Sequence, residues 1–130
     1  LHAYDNRETV LETIAFLTAR PPDEATVEQI VEDSLGGSAA AKQAWPTSTA
    51  YEDISERVAE IDVPTLIPAG DQDRQDPLHQ QQSEVLPRIP GALLEVVHDS
   101  GHLSPIDQPG HLADAMVAFL SKSAAIGNRK

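Results

Sequence analysis

The chain has 130 residues, the length of one domain with a core of its own. Its formal net charge of -12 argues against nucleic acid and anionic membrane surfaces as partners. Apolar residues make up 40% and charged residues 23%, the balance of a soluble globular protein rather than a disordered one. No cysteine occurs, which excludes disulfides, thiolate catalysis and cysteine metal sites. No apolar run approaches the roughly 20 residues that span a bilayer, and Leu1-His2-Ala3-Tyr4 does not open a signal peptide. The expectation is a cytoplasmic protein, and the absence of an initial methionine leaves room for a longer natural chain.

The first fifty residues read as helices. Asp5-Asn6-Arg7-Glu8 predicts a capping box in which Asp5 accepts from the backbone and Glu8 reaches back. Val10, Ile14 and Leu17 then share one face, and Pro21-Pro22 ends the helix. A second helix starts at Asp23 with the stripe Val27, Ile30, Val31 and Leu35, and stops at Gly36-Gly37. A short third helix is expected from Ser38 to Trp45, before Pro46. Thr47-Ser48-Thr49 leads into a fourth, with Ile54, Val58 and Ile61 as its apolar face.

From Val63 the pattern changes. The β-branched, apolar run Val63-Pro64-Thr65-Leu66-Ile67 predicts a buried strand that ends before Pro68, followed by an acidic loop from Gly70 to Asp76. Asp76-Pro77 predicts a helix start with the cap oxygen at Asp76, and Leu86-Pro87 its end. Ile89-Pro90-Gly91 turns into a second strand, Leu93 to Val97. A loop from His98 to Ile106 precedes a last helix from Pro109, with Leu112, Ala115, Met116, Phe119 and Leu120 as its stripe and a loose tail from Ser121. The expected fold class is α/β, a right-handed parallel strand-helix-strand-helix unit preceded by a helical region. Such sheets place their chemistry beyond the carboxyl ends of the strands, where Asp71, Asp73, His98 and His102 fall.

From Tyr51 to Leu120, and more loosely before it, these landmarks resemble the α/β-hydrolases in order and spacing. Ile61-Asp62-Val63-Pro64-Thr65-Leu66 resembles the late strand, Gly70-Asp71-Gln72-Asp73 with Pro77 the acid loop, and Gly101-His102-Leu103-Ser104-Pro105 with Pro109 the histidine loop and closing helix. The resemblance implies a triad acid at Asp73 and a triad base at His102, with Gly101 letting the loop bend. It also implies residues 1-50 as a helical cap-like region, 51-121 as the C-terminal part of the catalytic domain and 122-130 as a tail.

No Gly-x-Ser-x-Gly elbow, oxyanion loop or set of early strands is present. Gly36-Gly37-Ser38-Ala39-Ala40 imitates the elbow but follows a helix, and about 35 residues between Ser38 and Asp73 are too few for the usual intervening strand and cap; Ser38 reads as a helix cap. Trp45 reads as packing or as a pocket wall. Asp71 reads as a surface loop residue, His98 as a rim residue, and His2, His79 and His111 as solvent-facing. His98, His102 and Asp73 lack the helical setting that would align them on zinc, and Asp71, Asp73 and Asp76 lack the offsets of a calcium loop, so neither metal nor cofactor is expected.

The resulting expectation is the C-terminal part of a serine-type hydrolase of a small ester, lactone or related substrate, inactive by itself because its nucleophile lies elsewhere. A missing N-terminal half or a second copy would cover the exposed sheet edge. The alternative is a noncatalytic, self-associating module or relic scaffold.

Overall fold

A computed structural model describes residues 6–127; the side chains of Trp45 and of residues 49 and 124–127 lie outside the described set, as do Asp5 and His2. Helix α1 spans Arg7–Leu17, and its capping box pairs Asn6 with Thr9. Val10 and Ile14 face inward as their spacing requires. The helix stops three residues short of the Pro pair, where Thr18 turns extended and its hydroxyl donates to the Ile14 carbonyl. Helix α2, Glu24–Gly36, starts on Asp23, whose carboxylate accepts from the Thr26 N–H. Its stripe packs Val31, Val27 and Ile30 against α1, while Leu35 is exposed. Helix α3, Ala39–Thr47, carries Pro46 within its last turn.

The expected fourth helix does not form. After a 3₁₀ turn at Thr49–Tyr51, residues 52 to 65 hold only a second one at Val58–Glu60, and Ile54 is exposed. Asp53 accepts from the Ser55 N–H, a local bond that competes with helix initiation.

Strands β1, Leu66–Gly70, and β2, Leu93–Val97, pair in parallel with Leu66 opposite Leu93 and Gly70 opposite Val97. Thus β1 begins later than expected and contains Pro68. Register explains this. Leu93 N–H donates to Thr65 O and Asp71 N–H to Val97 O, so the odd-numbered residues of β1 bond β2 and Pro68 turns its missing N–H to the opposite edge.

Between the strands, α4 (Leu78–Gln80) continues through a wide π turn at Gln81–Val85 and a 3₁₀ turn at Leu86–Arg88. Pro77, not Asp76, holds the N-cap position, without a side-chain cap bond, and just before it Asp73 takes the N–H groups of Gln75 and Asp76. The histidine loop contains a short helix, α5, at Ser104–Asp107. Helix α6 runs Pro109–Gly127, so the residues expected as a tail from Ser121 to Gly127 are helical, with Ser121 and Ser123 bonding back to Val117 and Phe119.

Buried apolar residues fall into two small groups: Val10, Ile14 and Val31 under the first helices, and Ala69, Ile89 and Val97 around the sheet. A domain of this length can bury more; here Met116, Val117 and Leu120 on α6 and Leu93 on β2 are exposed.

Helices α1 and α2 are also joined by a two-pronged ion pair of Arg7 with Glu28. The Arg7 hydrogen bond holds the Glu28 carboxyl below its usual range. A lowered folded-state pKa contributes stability that is present above the unfolded value, about 4.3, and is lost as pH falls through the folded one. Glu28→Gln is therefore expected to reduce the difference in thermal midpoint between pH 7 and pH 3; an unchanged difference would remove this pair from the acid response.

Candidate active site

The acid loop and the histidine loop are joined along their backbones before any side chain meets. Asp71 N–H donates to Val97 O and Gln72 N–H to Ser100 O at 2.9 Å, while Asp73 N–H turns back onto Gly70 O within the acid loop. The contact is too close for side chains: a Cβ on Gly70 would sit 2.4 Å from the carbonyl oxygens of Ser100 and Gly101. Gly101 answers a second close approach, since a Cβ there would lie 2.5 Å from Leu17 O. Its φ is not positive; the sharp bend expected at Gly101 is made at Asp99, with φ 54. Aspartate is among the few residues that adopt this left-handed conformation at modest cost.

On this frame Asp73 and His102 meet. Asp73 Oδ1 accepts from the N–H groups of Gln75 at 2.8 Å and Asp76 at 2.9 Å, which aims Oδ2 at His102 Nδ1, 3.0 Å away. The Asp73 side chain is 9% exposed and that of His102 36%. A carboxylate only accepts, so Nδ1 carries the proton and neutral His102 presents an unprotonated Nε2. No hydrogen bond to Nε2 is found among the described residues. This arrangement can take a proton at Nε2 and stabilise the resulting imidazolium.

Asp76 Oδ2 lies 3.6 Å from His102 Nδ1, beyond hydrogen-bond reach. Together Asp73, Asp76 and His102 bring ligand atoms within 4.8 Å of one another, a set with the donor types of a metal site. Two of the three residues are those already engaged in the Asp73–His102 bond. His98 takes no part in this set: it pairs with Asp71 at 2.9 Å. That bond holds the Asp71 carboxyl below its ordinary range, so Asp71 is a partnered residue rather than a bare loop position. His111 also differs from its solvent-facing expectation, bonding Glu95 at 2.8 Å between α6 and β2.

Ser38 is the N-cap of α3, with its Oγ accepting from the Ala41 N–H at 3.1 Å. It follows a helix, as no strand-to-helix elbow does. Ser38→Ala is expected to cost ~1 kcal/mol, measured by urea unfolding. A loss near zero would mean that the cap bond contributes nothing.

A residue the sequence reading passed over is Asp107, 3% exposed, with Oδ2 2.7 Å from Gly101 N and 2.9 Å from Ala19 N. Its only sequence signal is a charge just before the Pro109 helix start, five residues after His102.

Comparison with solved structures decides the fold. An esterase from Exiguobacterium antarcticum superposes with a TM-score of 0.80 at 21% identity over 88% of this chain and 42% of its own. The chain has the architecture of the C-terminal part of the α/β-hydrolase fold. A membrane phospholipase A described as a bacterial virulence factor matches with a TM-score of 0.76 at 21% identity, over 94% of this chain and 40% of its own. A serine hydrolase of carbazole degradation matches with a TM-score of 0.74 at 22% identity, over 89% and 47%. The chain thus spans less than half the length of these α/β-hydrolase structures. No family model matches the sequence, and no curated protein does. Among the described residues no helix is long and apolar enough to cross a membrane.

Proposed function

We propose that this chain is the acid-and-base portion of a serine-type α/β-hydrolase acting on a small ester, lactone or related acyl substrate. The observation that carries the reading is the Asp73 carboxylate, aimed by two backbone N–H groups at His102 Nδ1 while Nε2 stays unengaged. In this reading Asp73 orients the ring, His102 Nε2 takes the proton of a serine hydroxyl, and the same proton then passes to the leaving group. The serine and the N–H groups that stabilise the oxyanion come from a preceding segment, and without them a general base has little to act on. Residues 1-50 would form the cap over the site, 51-121 the end of the catalytic domain and 122-130 its terminus.

The preceding segment would pair along the outer edge of β1. That edge offers the N–H groups of Leu66 and Gly70 but none at Pro68, so an added strand forms one bond fewer there. A second copy of the chain is the alternative occupant of the same edge.

Two measurements test the proposal: the coding sequence upstream of Leu1, and hydrolysis of p-nitrophenyl esters by the chain alone and by the protein extended upstream. The expected result is an upstream Gly-x-Ser-x-Gly elbow, no enzymatic turnover by the chain alone and turnover by the extended protein. Turnover by the chain alone, or an upstream sequence without a nucleophile elbow, would overturn it.

A further inference from the structure

The buried carboxylate of Asp107 is not used by the acid-base pair, yet its hydrogen bonds reach both sides of the candidate site. One oxygen, Oδ2, accepts from Gly101 N–H at 2.7 Å and from Ala19 N–H at 2.9 Å. The other, Oδ1, is buried with no partner among the described residues. Burying a carboxylate with half its acceptor capacity unused is costly, which makes a purely packing role a poor account of this aspartate.

The two donors show what the carboxylate holds. Gly101 immediately precedes His102, and Ala19 lies just beyond α1. On the other side of His102, Leu103 N–H donates to Leu17 O at 3.1 Å. Both neighbours of the imidazole are therefore attached to the same end of α1, one directly and one through Asp107. The Gly101 carbonyl is held as well, accepting from the hydroxyls of Ser100 and Ser104. The acid loop reaches that helix end too: the Arg74 guanidinium, next to Asp73, donates to Ala15 O and Thr18 O and stacks on the Phe16 ring.

We infer that Asp107 is a positioning residue for His102, its single oxygen clamping Gly101 to Ala19 so that the placement of α1 and that of the imidazole are one variable. Charge-assisted bonds to two N–H groups fix the backbone on the near side of the ring more firmly than a neutral acceptor would. The cap-like helix thereby sets whether Nδ1 lies within reach of Asp73. The inference rests on the reading of Asp73 and His102 as acid and base, and its test is independent of turnover.

The experiment is the tautomeric state of His102 from ring ¹⁵N shifts of the intact chain, at a pH where imidazoles are neutral, with His98 and His111 as internal references. Wild type is expected to hold His102 in the Nδ1–H form. In Asp107→Ala that preference is lost while His98 and His111 keep their shifts and unfolding stays cooperative. Asp107→Asn, which keeps an acceptor oxygen without the charge, falls between the two. An unchanged His102 in folded Asp107→Ala overturns the inference, as does a joint change of all three histidines. Should the alanine variant not fold, the asparagine variant decides, and a His102 identical to wild type overturns it. A wild-type His102 without the Nδ1–H preference overturns the acid-base reading and this inference together.

Discussion

His102→Ala in the protein extended upstream is expected to lower kcat for a p-nitrophenyl ester by a factor of about 10³ to 10⁴, with KM little changed. The base acts only when a proton moves, so its loss raises the barrier and leaves the ground-state complex alone. Asp73→Asn should cost a comparable factor by a different route. An amide placed on the Asp73 carboxylate can present its NH₂ to Nδ1, and the ring then protonates at Nε2, the nitrogen that must accept. Because the two residues act as one unit, the double variant should fall little below either single one. Steady-state kinetics on the four proteins checks this, and a double variant whose loss is the product of the two would mean independent roles.

Gly101→Ala and Gly70→Ala carry the largest expected effects on stability. At Gly101 the new methyl would meet Leu17 O at 2.5 Å and the backbone at Thr18 and Ala19 at 3.0 Å, and backbone atoms have no rotamer by which to yield. The histidine loop must move away from α1, lengthening the Asp107 and Leu103 attachments. Overpacking of this kind costs about 1–3 kcal/mol, and the lost hydrogen bonds add to it. Gly70→Ala meets the Ser100 and Gly101 carbonyls at 2.4 Å and should behave alike. Gly36→Ala, where nothing lies within 4 Å, is the matched control and should be neutral or slightly stabilising. Urea unfolding of the three variants separates close approach from a general intolerance of alanine; equal midpoints for Gly36→Ala and Gly101→Ala would contradict it.

The parts of the fold that sequence predicts well are those governed by local rules. The stripe of Val27, Ile30 and Val31, the caps at Asp23 and Ser38, and the strand Leu93 to Val97 follow from periodicity and capping chemistry. The parts that differ are decided by neighbours distant in sequence. Pro68 looks like the end of a strand until the register turns its nitrogen away from β2. Asp76 looks like a cap, but the helix starts one residue later, at Pro77, and the Asp76 carboxylate lies near His102 instead. Ile54, Val58 and Ile61 have helical spacing, but Ile54 stays exposed while Val58 and Ile61 are half-buried, so the stripe is not buried as a unit and makes no helix.

The candidate site divides in the same way. Asp73 and His102 stand out because their loops have a recognisable order of glycine, acid and histidine; their 3.0 Å contact is a property of the two strand ends being neighbours. The pairing of Asp71 with His98, and the double acceptance by Asp107, depend on tertiary approach and leave no spacing to read. Apolar exposure, at Val117 and Leu120 on α6, Leu93 on β2, and Tyr51 and Val63 between α3 and β1, likewise depends on tertiary approach and is not marked in the spacing.

If Asp73 and His102 serve a serine carried by a preceding segment, a fluorophosphonate should label that serine covalently. One adduct per molecule of the upstream-extended protein is expected, on a serine ahead of Leu1 and formed far more slowly in His102→Ala, with no adduct on the 130-residue chain alone. Labelling of Ser38 in that chain, or labelling of the extended protein at a rate indifferent to His102, would contradict it.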